Sequence, residues 1–420
     1  MTTQLEMNLQ DDTALSSEPD AGHTPAIRFK GFSDAWINSE LGRLLDITSA
    51  ARVHKEEWAD TGVPFFRTSD VVSIYKGQEN KKAYISYELY KTLVVRTGAV
   101  KKNDLLVTGG GSIGIPYLVK TNAPLYFKDA DLLWLKNTTG TDGYFLFTFF
   151  SSPFFIKYKN SITHIGTISH YTIEQAKSTP IYLSKYNEEQ TAIGNYFQQL
   201  DSLIAQHQQK HTKLLNLKQA LLHKMFPKQG TSVPEVRFKG FSRNWEVKEF
   251  GEIVSRKNIV CKELDLPRVE YEDITSGKGT LNKDICQKEN TKTGIKFDQG
   301  DVLYGKLRPY LKNWLFADFE GIAVGDFWVL CANEQDRKFI YSLIQTPEFE
   351  KTANLSSGSK MPRSDWGLVS KKEFYTPIKK EEQAKIGQLF QQLDHLINQQ
   401  NALLTKLGNL KHAYLAKMFV

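Results

Sequence analysis

Along residues 187 to 227 the apolar positions advance in alternating steps of four and three. Ile193, Phe197, Leu200, Ile204, His207, His211 and Leu214 fall in one register, the pattern of a coiled-coil seam. The same register returns over residues 379 to 420 in Ile386, Phe390, Leu393, Ile397, Gln400, Leu404 and Leu407. Each pattern predicts a helix of roughly 40 residues, about 60 Å long at 1.5 Å per residue. A helix with so narrow an apolar stripe is unstable alone in water, and its duplicate in the same chain is always present at high effective concentration. An antiparallel pair is therefore expected, with each helix packed only on its own neighbouring domain as the alternative. Polar His207, His211 and Gln400 in mid-seam weaken such a pair but fix its register. Asn187 with Gln190 reads as a capping box at the first helix start.

The two helices belong to a larger duplication. EEQTAIGNYFQQLDSLI (188 to 204) and EEQAKIGQLFQQLDHLI (381 to 397) agree at 12 of 17 positions, 193 residues apart. IRFKGFSDAWINSELG (27 to 42) returns as VRFKGFSRNWEVKEFG (236 to 251), 209 residues on, so the second body is 16 residues shorter. Between these markers, runs such as PLYFKDADLLWL and GIAVGDFWVLCA, broken by Gly and Asp, read as strands and turns. The pattern predicts an α+β protein with a globular domain at 28 to 186, a long helix at 187 to 227, a linker at 228 to 236, a second domain at 237 to 378 and a final helix at 379 to 420. A period this long means two whole domains, not a solenoid.

Composition changes this picture in one respect. The formal charge is +7 over 420 residues, but residues 1 to 27 hold five acids and no Lys or Arg, which leaves +12 for the remainder. The leader reads as a disordered acidic tail, and the basic remainder suits a polyanion. Cys261, Cys286 and Cys331 form no CxxC pair, so neither a disulfide framework nor a zinc knuckle is expected. No apolar run is long enough for a membrane span and no signal-peptide pattern opens the chain, which points to a cytoplasmic location.

Catalytic chemistry is hard to find. Gly109, Gly111 and Gly114 satisfy GxGxxG, but Pro116 stands where a phosphate-binding helix would begin, so a tight turn or close backbone approach is the better reading. His207 and His211 lack a third metal ligand, and Glu246 with Lys248 lacks the preceding Asp of a nuclease site; no metal site is expected. Binding is better supported. FFRTSDVVSIYKG (65 to 77) and NSITHIGTISHY (160 to 171) in the first body, and LYGKLRPYLKN (303 to 313) and SGSKMPRSDW (357 to 366) in the second, mix cations, hydroxyls and aromatics. These are the side chains that contact phosphates and base edges. The candidates are Arg67, Ser69, His164, Thr167 and His170, with Gly109 to Gly111 and Ser112 as a backbone approach, and Lys306, Arg308, Lys312, Lys360 and Arg363.

Two divergent bodies, each followed by an EEQ…IG…F…LD…I helix, with RFKGF…W…LG openings and the stretch GDVLYGKLRPYL, resemble the specificity subunit of type I restriction-modification systems across residues 27 to 420. The resemblance implies two target-recognition domains, each reading half of a split, asymmetric duplex DNA site, separated by an antiparallel coiled coil. It implies a subunit with no catalysis and no cofactor of its own. Methyltransferase subunits would bring S-adenosylmethionine for adenine-N6 modification, and motor-nuclease subunits ATP and magnesium. The absence from the sequence of an Asn/Asp-Pro-Pro-aromatic motif and of a phosphate-binding ATPase loop agrees with chemistry supplied by partners. Gln198, Gln199, Gln391 and Gln392, outside the seam, are the candidate docking positions. A protein- or glycan-binding scaffold spaced by the same coiled coil is the alternative.

Overall fold

The computed structural model describes residues 7–9, 23–162, 170–263, 265–285, 292–355 and 360–420. The chain forms two units: Met1–Gln206 with Thr405–Val420, and His207–Leu404. The division runs through the two long helices, Asn187–Lys224 and Lys380–Met418, not through the linker. Each unit thus joins one body to the beginning of one helix and the end of the other. Within the leader expected to be disordered, Met7–Leu9 is a strand antiparallel to Ile27–Phe29.

Both bodies are built on the same four-stranded antiparallel sheet. In the first its order is Leu45–Thr48, Leu132–Asn137, Leu105–Thr108, Pro116–Leu118. In the second it is Val254–Lys257, Phe327–Ala332, Val302–Gly305, Trp314–Phe316. Successive side chains point to opposite faces, and here both faces are covered. Leu105 and Val107 join the core that receives the long helices, while Leu106 enters a separate cluster with Trp134 and Phe127. Val302 and Tyr304 divide from Leu303 in the same way. Two short helices close the helix-facing side, Gly143–Phe149 and Pro153–Ile162 in the first unit, Arg337–Leu343 and Pro347–Ala353 in the second.

The bodies part company in a second sheet. In the first unit it runs Tyr126–Phe127, Val63–Phe66, Ala83–Ile85, Trp58–Ala59, with helices Thr68–Tyr75 and Tyr87–Thr97 alongside. In the second it runs Val260–Cys261, Gly294–Phe297, Gly321–Ala323, Arg268–Val269, and a hairpin, Ile274–Thr275 with Thr280–Leu281, stands in place of those helices.

Within each unit the long helices lie antiparallel. In the first, Phe197 packs on Phe419 and Asp201 accepts from Lys411 at 2.6 Å and from the Tyr144 hydroxyl at 2.8 Å. In the second, His207 Nδ1 and Gln400 Oε1 are 2.9 Å apart, and Lys218 donates to Asp394 at 2.5 Å and to Gln345 at 2.6 Å. Ile193, Phe197, Leu200, Ile386, Phe390, Leu393, Ile397 and Leu407 are buried; Ile204, Leu214 and Leu404 are half-buried. The seam also runs on past Leu214 and Leu407 to Lys218 and Lys411, each paired across to the aspartate of the QQLD motif. Burial pushes the Asp394 carboxyl upward and Lys218 pulls against it.

The helix ends carry a further repeat, Leu222, Met225, Phe226 and Leu415, Met418, Phe419, buried in the cores of the second and first units respectively. The opening motifs serve the helix starts. Glu189 accepts from Arg28 Nε and Nη2, both at 2.7 Å, and from Trp36 at 3.2 Å. Glu382 accepts from Arg237 at 2.7 and 2.8 Å and from Trp245 at 3.4 Å. The expected capping box is not formed: Gln190 donates to the Ser184 carbonyl at 3.0 Å, and its own oxygen has no partner among the described residues. That amide anchors the preceding strand to the helix instead of closing the first turn.

Candidate nucleic-acid interface

Each central sheet ends in a loop, and several of the described candidate residues lie on it or on the segment bridged to it. In the first unit Thr108 leads into Gly109–Gly114, held by Gly114 N donating to Thr108 O at 2.8 Å and Thr108 Oγ1 to Ser112 O at 2.5 Å. The loop is tied to the next candidate segment by an antiparallel bridge between Gly110 and His170 and by Tyr171 N donating to Gly109 O. Gly109 and Gly110 are buried, whereas Gly111, Ser112 and His170 are exposed. Gly110 thus lies beneath the exposed Gly111 and Ser112. Thr68 Oγ1 reaches Asp131 O at 3.4 Å, and Asp131 also holds Lys128 at 2.6 Å, so the start of helix Thr68–Tyr75 joins the same end.

Arg67 and Ser69 arrive there but are partly engaged. The Arg67 guanidinium bonds Asp70 at 2.7 and 2.9 Å and Lys81 O at 2.5 Å, and lies 5.6 Å from the Trp58 ring centroid. Ser69 accepts from Asn80 at 3.1 Å. His164 and Thr167 lie outside the described residues.

The second unit repeats the plan with different chemistry. The loop after Val302–Gly305 is bridged at Leu307 to Arg363, and Arg308 N donates to Pro362 O at 2.7 Å. This brings Lys306, Leu307 and Arg308 against Pro362, Arg363 and Ser364. Asp326 holds Arg363 at 3.0 Å and Lys306 at 3.5 Å. Burial pushes its carboxyl up, but those cations outweigh burial and keep it below the usual carboxylate range. Tyr271 fixes the loop from below, accepting from Leu307 N and donating to Asp326 O, both at 2.8 Å. Lys312 turns away to Glu350, at 2.6 and 2.8 Å. Arg308 and Lys360 are exposed.

Two non-glycine residues of this loop are left-handed, Arg308 at φ 50° and Lys312 at φ 57°, a conformation costing roughly 1–2 kcal/mol for each L-residue. Asp131, Asp326, Tyr271 and Glu350 were not singled out from sequence. The signal available was the alignment of Asp131-Leu132 with Asp326-Phe327 at the start of matching strands.

A second surface lies on the helices. Gln199, Leu203, Gln206, Lys210, Lys213, Leu217, Ala220 and Lys224 form another four-three stripe, all exposed. Its counterpart, Gln392, Leu396, Gln399, Leu403, Lys406, Leu410, Ala413 and Lys417, is identical at seven of eight positions. Leu203, Leu217, Leu396 and Leu410 are 40%, 46%, 41% and 41% exposed. Gln198 and Gln391 are exposed beside the stripes. Among the described residues no cluster of His, Cys, Asp or Glu could hold a metal ion, and no helix is long and apolar enough to cross a membrane.

The family described as "Type I restriction modification DNA specificity domain" matches residues 33–216. The EcoDI type I restriction enzyme specificity subunit of Escherichia coli is 23% identical over 91% of this chain and 88% of its own length. A putative type I specificity subunit of Haemophilus influenzae is 30% identical over 23% of the chain. The S subunit structure from M. genitalium matches with a TM-score of 0.63 and 16% identity, covering 94% of this chain and 99% of that one. A structure described in work on complex assembly and conformational transition of the type I R-M system matches with a TM-score of 0.50, also at 16% identity, over 90% and 96% of the two chains. Residues 33–216 thus match the type I restriction-modification DNA specificity domain, and the chain is similar along nearly all its length to a specificity subunit of such a system.

Proposed function

We propose that this protein gives a type I restriction-modification complex its DNA target, each unit reading one half of a bipartite, asymmetric duplex site. The observation that carries this reading is the sheet end built twice on one plan with unlike surfaces: Gly111, Ser112 and His170 in one unit, Lys306, Arg308, Lys360 and Arg363 in the other. Equal scaffolds with unequal loops are what two unlike half-sites require. The long helices set the distance between the half-sites. Methyltransferase subunits bring S-adenosylmethionine, and motor-nuclease subunits bring ATP and magnesium.

Coexpression with the methyltransferase partner followed by mapping of methylated adenines tests this. A split motif with a fixed spacer is expected. Inserting four residues into Asn187–Lys224, which shifts the seam by a stutter, should change the spacer or abolish assembly; an unchanged spacer would refute the helices as ruler. Binding of the complex to target duplex should weaken steeply with salt, whereas salt-insensitive binding to protein or glycan would favour the scaffold reading.

The paired stripes support docking of two copies of one partner. Four leucines at about 40% exposure, spaced for helix packing, are unusual for a solvated face. Leu203→Glu with Leu217→Glu should remove one methyltransferase copy, and adding Leu396→Glu with Leu410→Glu the other, read as complex mass in solution. Retention of both copies in the fourfold variant would exclude the stripes as the docking surface.

A further inference from the structure

The sheet-end loops of the two units, the second one residue longer, correspond at their left-handed positions. Gly110 and Leu307 make the matching bridges, so Gly111 and Arg308 are the residues that follow them. Gly114 and Lys312 precede the matching return strands, in which Pro116 pairs with Val107 and Trp314 with Tyr304. All four are left-handed, at φ 69° and 76° for the glycines and 50° and 57° for Arg308 and Lys312. The first unit adopts this backbone with glycine, which carries no penalty. The second adopts it with two long cations. For Lys312 the Glu350 ion pair supplies a structural reason. Arg308 has no side-chain partner among the described residues, while its neighbours Lys306 and Arg363 share Asp326.

We propose that Arg308 is a pre-aimed guanidinium fork that grips a paired-acceptor edge of DNA, either O6 and N7 of a guanine or two oxygens of a phosphate. This rests on the DNA-reading function above. The loop around it is immobilised through Tyr271, Pro362, Asp326 and Glu350, so the side chain leaves a fixed backbone. Of the two left-handed non-glycine residues of this loop, Arg308 is the one whose side chain has no partner among the described residues, and strain retained there marks a functional position. Tyr310, two residues on in the same turn, is 54% exposed. A planar fork needs such aiming, whereas a flexible ammonium does not.

The test uses the full chain with its methyltransferase partner and three variants, Arg308→Gly, Arg308→Ala and Arg308→Lys. Target-duplex affinity, its salt dependence and the methylated motif are measured, together with the unfolding temperature. Arg308→Gly should unfold at or above the parent temperature, since it releases the left-handed strain, yet bind target roughly tenfold to hundredfold more weakly. Arg308→Lys should not restore binding. Lost discrimination at one base pair of one half-site identifies the guanine edge; uniform weakening with a salt slope lower by about one identifies the phosphate. Parent affinity and motif in Arg308→Gly, full rescue by Arg308→Lys, or a lowered unfolding temperature in Arg308→Gly would each overturn the fork. A parent complex that methylates no specific motif would instead remove the DNA-reading function itself.

Discussion

Glu189→Ala should destabilise the first unit by about 3–5 kcal/mol, the range for breaking a buried ion pair from one side. Glu189 is fully buried, and its two oxygens take both forks of Arg28 and the Trp36 indole. Without it, Arg28, 7% exposed, keeps among the described residues only the Asp34 carbonyl. The loss comes from the stranded cation more than from the missing contact. Replacing both partners, as Arg28→Met with Glu189→Leu, should therefore recover most of the stability. Thermal unfolding of the full chain with amide exchange over residues 27 to 40 and 180 to 200 provides the readout. An exchange pattern unchanged in Glu189→Ala would show that the opening motif does not hold the helix start.

The second large effect concerns the glycine that follows the first seam isoleucine in each helix. A Cβ on Gly387 would stand 2.6 Å from Lys338 Cβ and 2.7 Å from Phe339 N, and one on Gly194 would collide with the Asp142 carboxylate and approach Phe145 N at 3.0 Å. These are the capped starts of helices Arg337–Leu343 and Gly143–Phe149; at Gly387 the obstacle is largely backbone, and at Gly194 it is chiefly the capping carboxylate of Asp142. Helix propensity favours alanine by roughly 1 kcal/mol, but moving a helix off its body should outweigh that, giving a net loss of about 2 kcal/mol or more. Gly408, on the second helix with nothing within 4 Å of its Cβ position, supplies the contrast. Gly408→Ala should stabilise by up to about 1 kcal/mol where Gly387→Ala destabilises. Two shifts of the same sign on denaturant unfolding would refute the close-approach explanation.

The seam residues were legible because helix periodicity is local: Ile193 to Leu214 announce a buried face without knowledge of what covers it. Lys218 and Lys411 were not, because a lysine at a seam step looks like the end of the seam until its aspartate is found on the other helix. The opening RFKGF motif was visible as a repeat, yet its task was hidden, since Arg28 meets Glu189 across 161 residues of sequence. Gln190 looked like a cap because its spacing from Asn187 fits one, and tertiary contact with Ser184 redirected it.

For the interface, composition located the loops better than it assigned the side chains. Arg67 reads as a free cation but is occupied by Asp70, and Lys312 by Glu350. The strain at Arg308 leaves no trace in sequence, because an arginine before proline gives no sign of a left-handed backbone.

The division of the chain has a consequence for the order of synthesis. The second unit is one continuous run, His207–Leu404, whereas the first is completed only by residues from Thr405 onward. Leu415, Met418 and Phe419 belong to the core around Trp36, Phe145 and Phe197. A nascent chain emerging from its N-terminus therefore makes the first body early but holds an open apolar socket until the whole second unit has emerged. The body made first is the one whose core closes last.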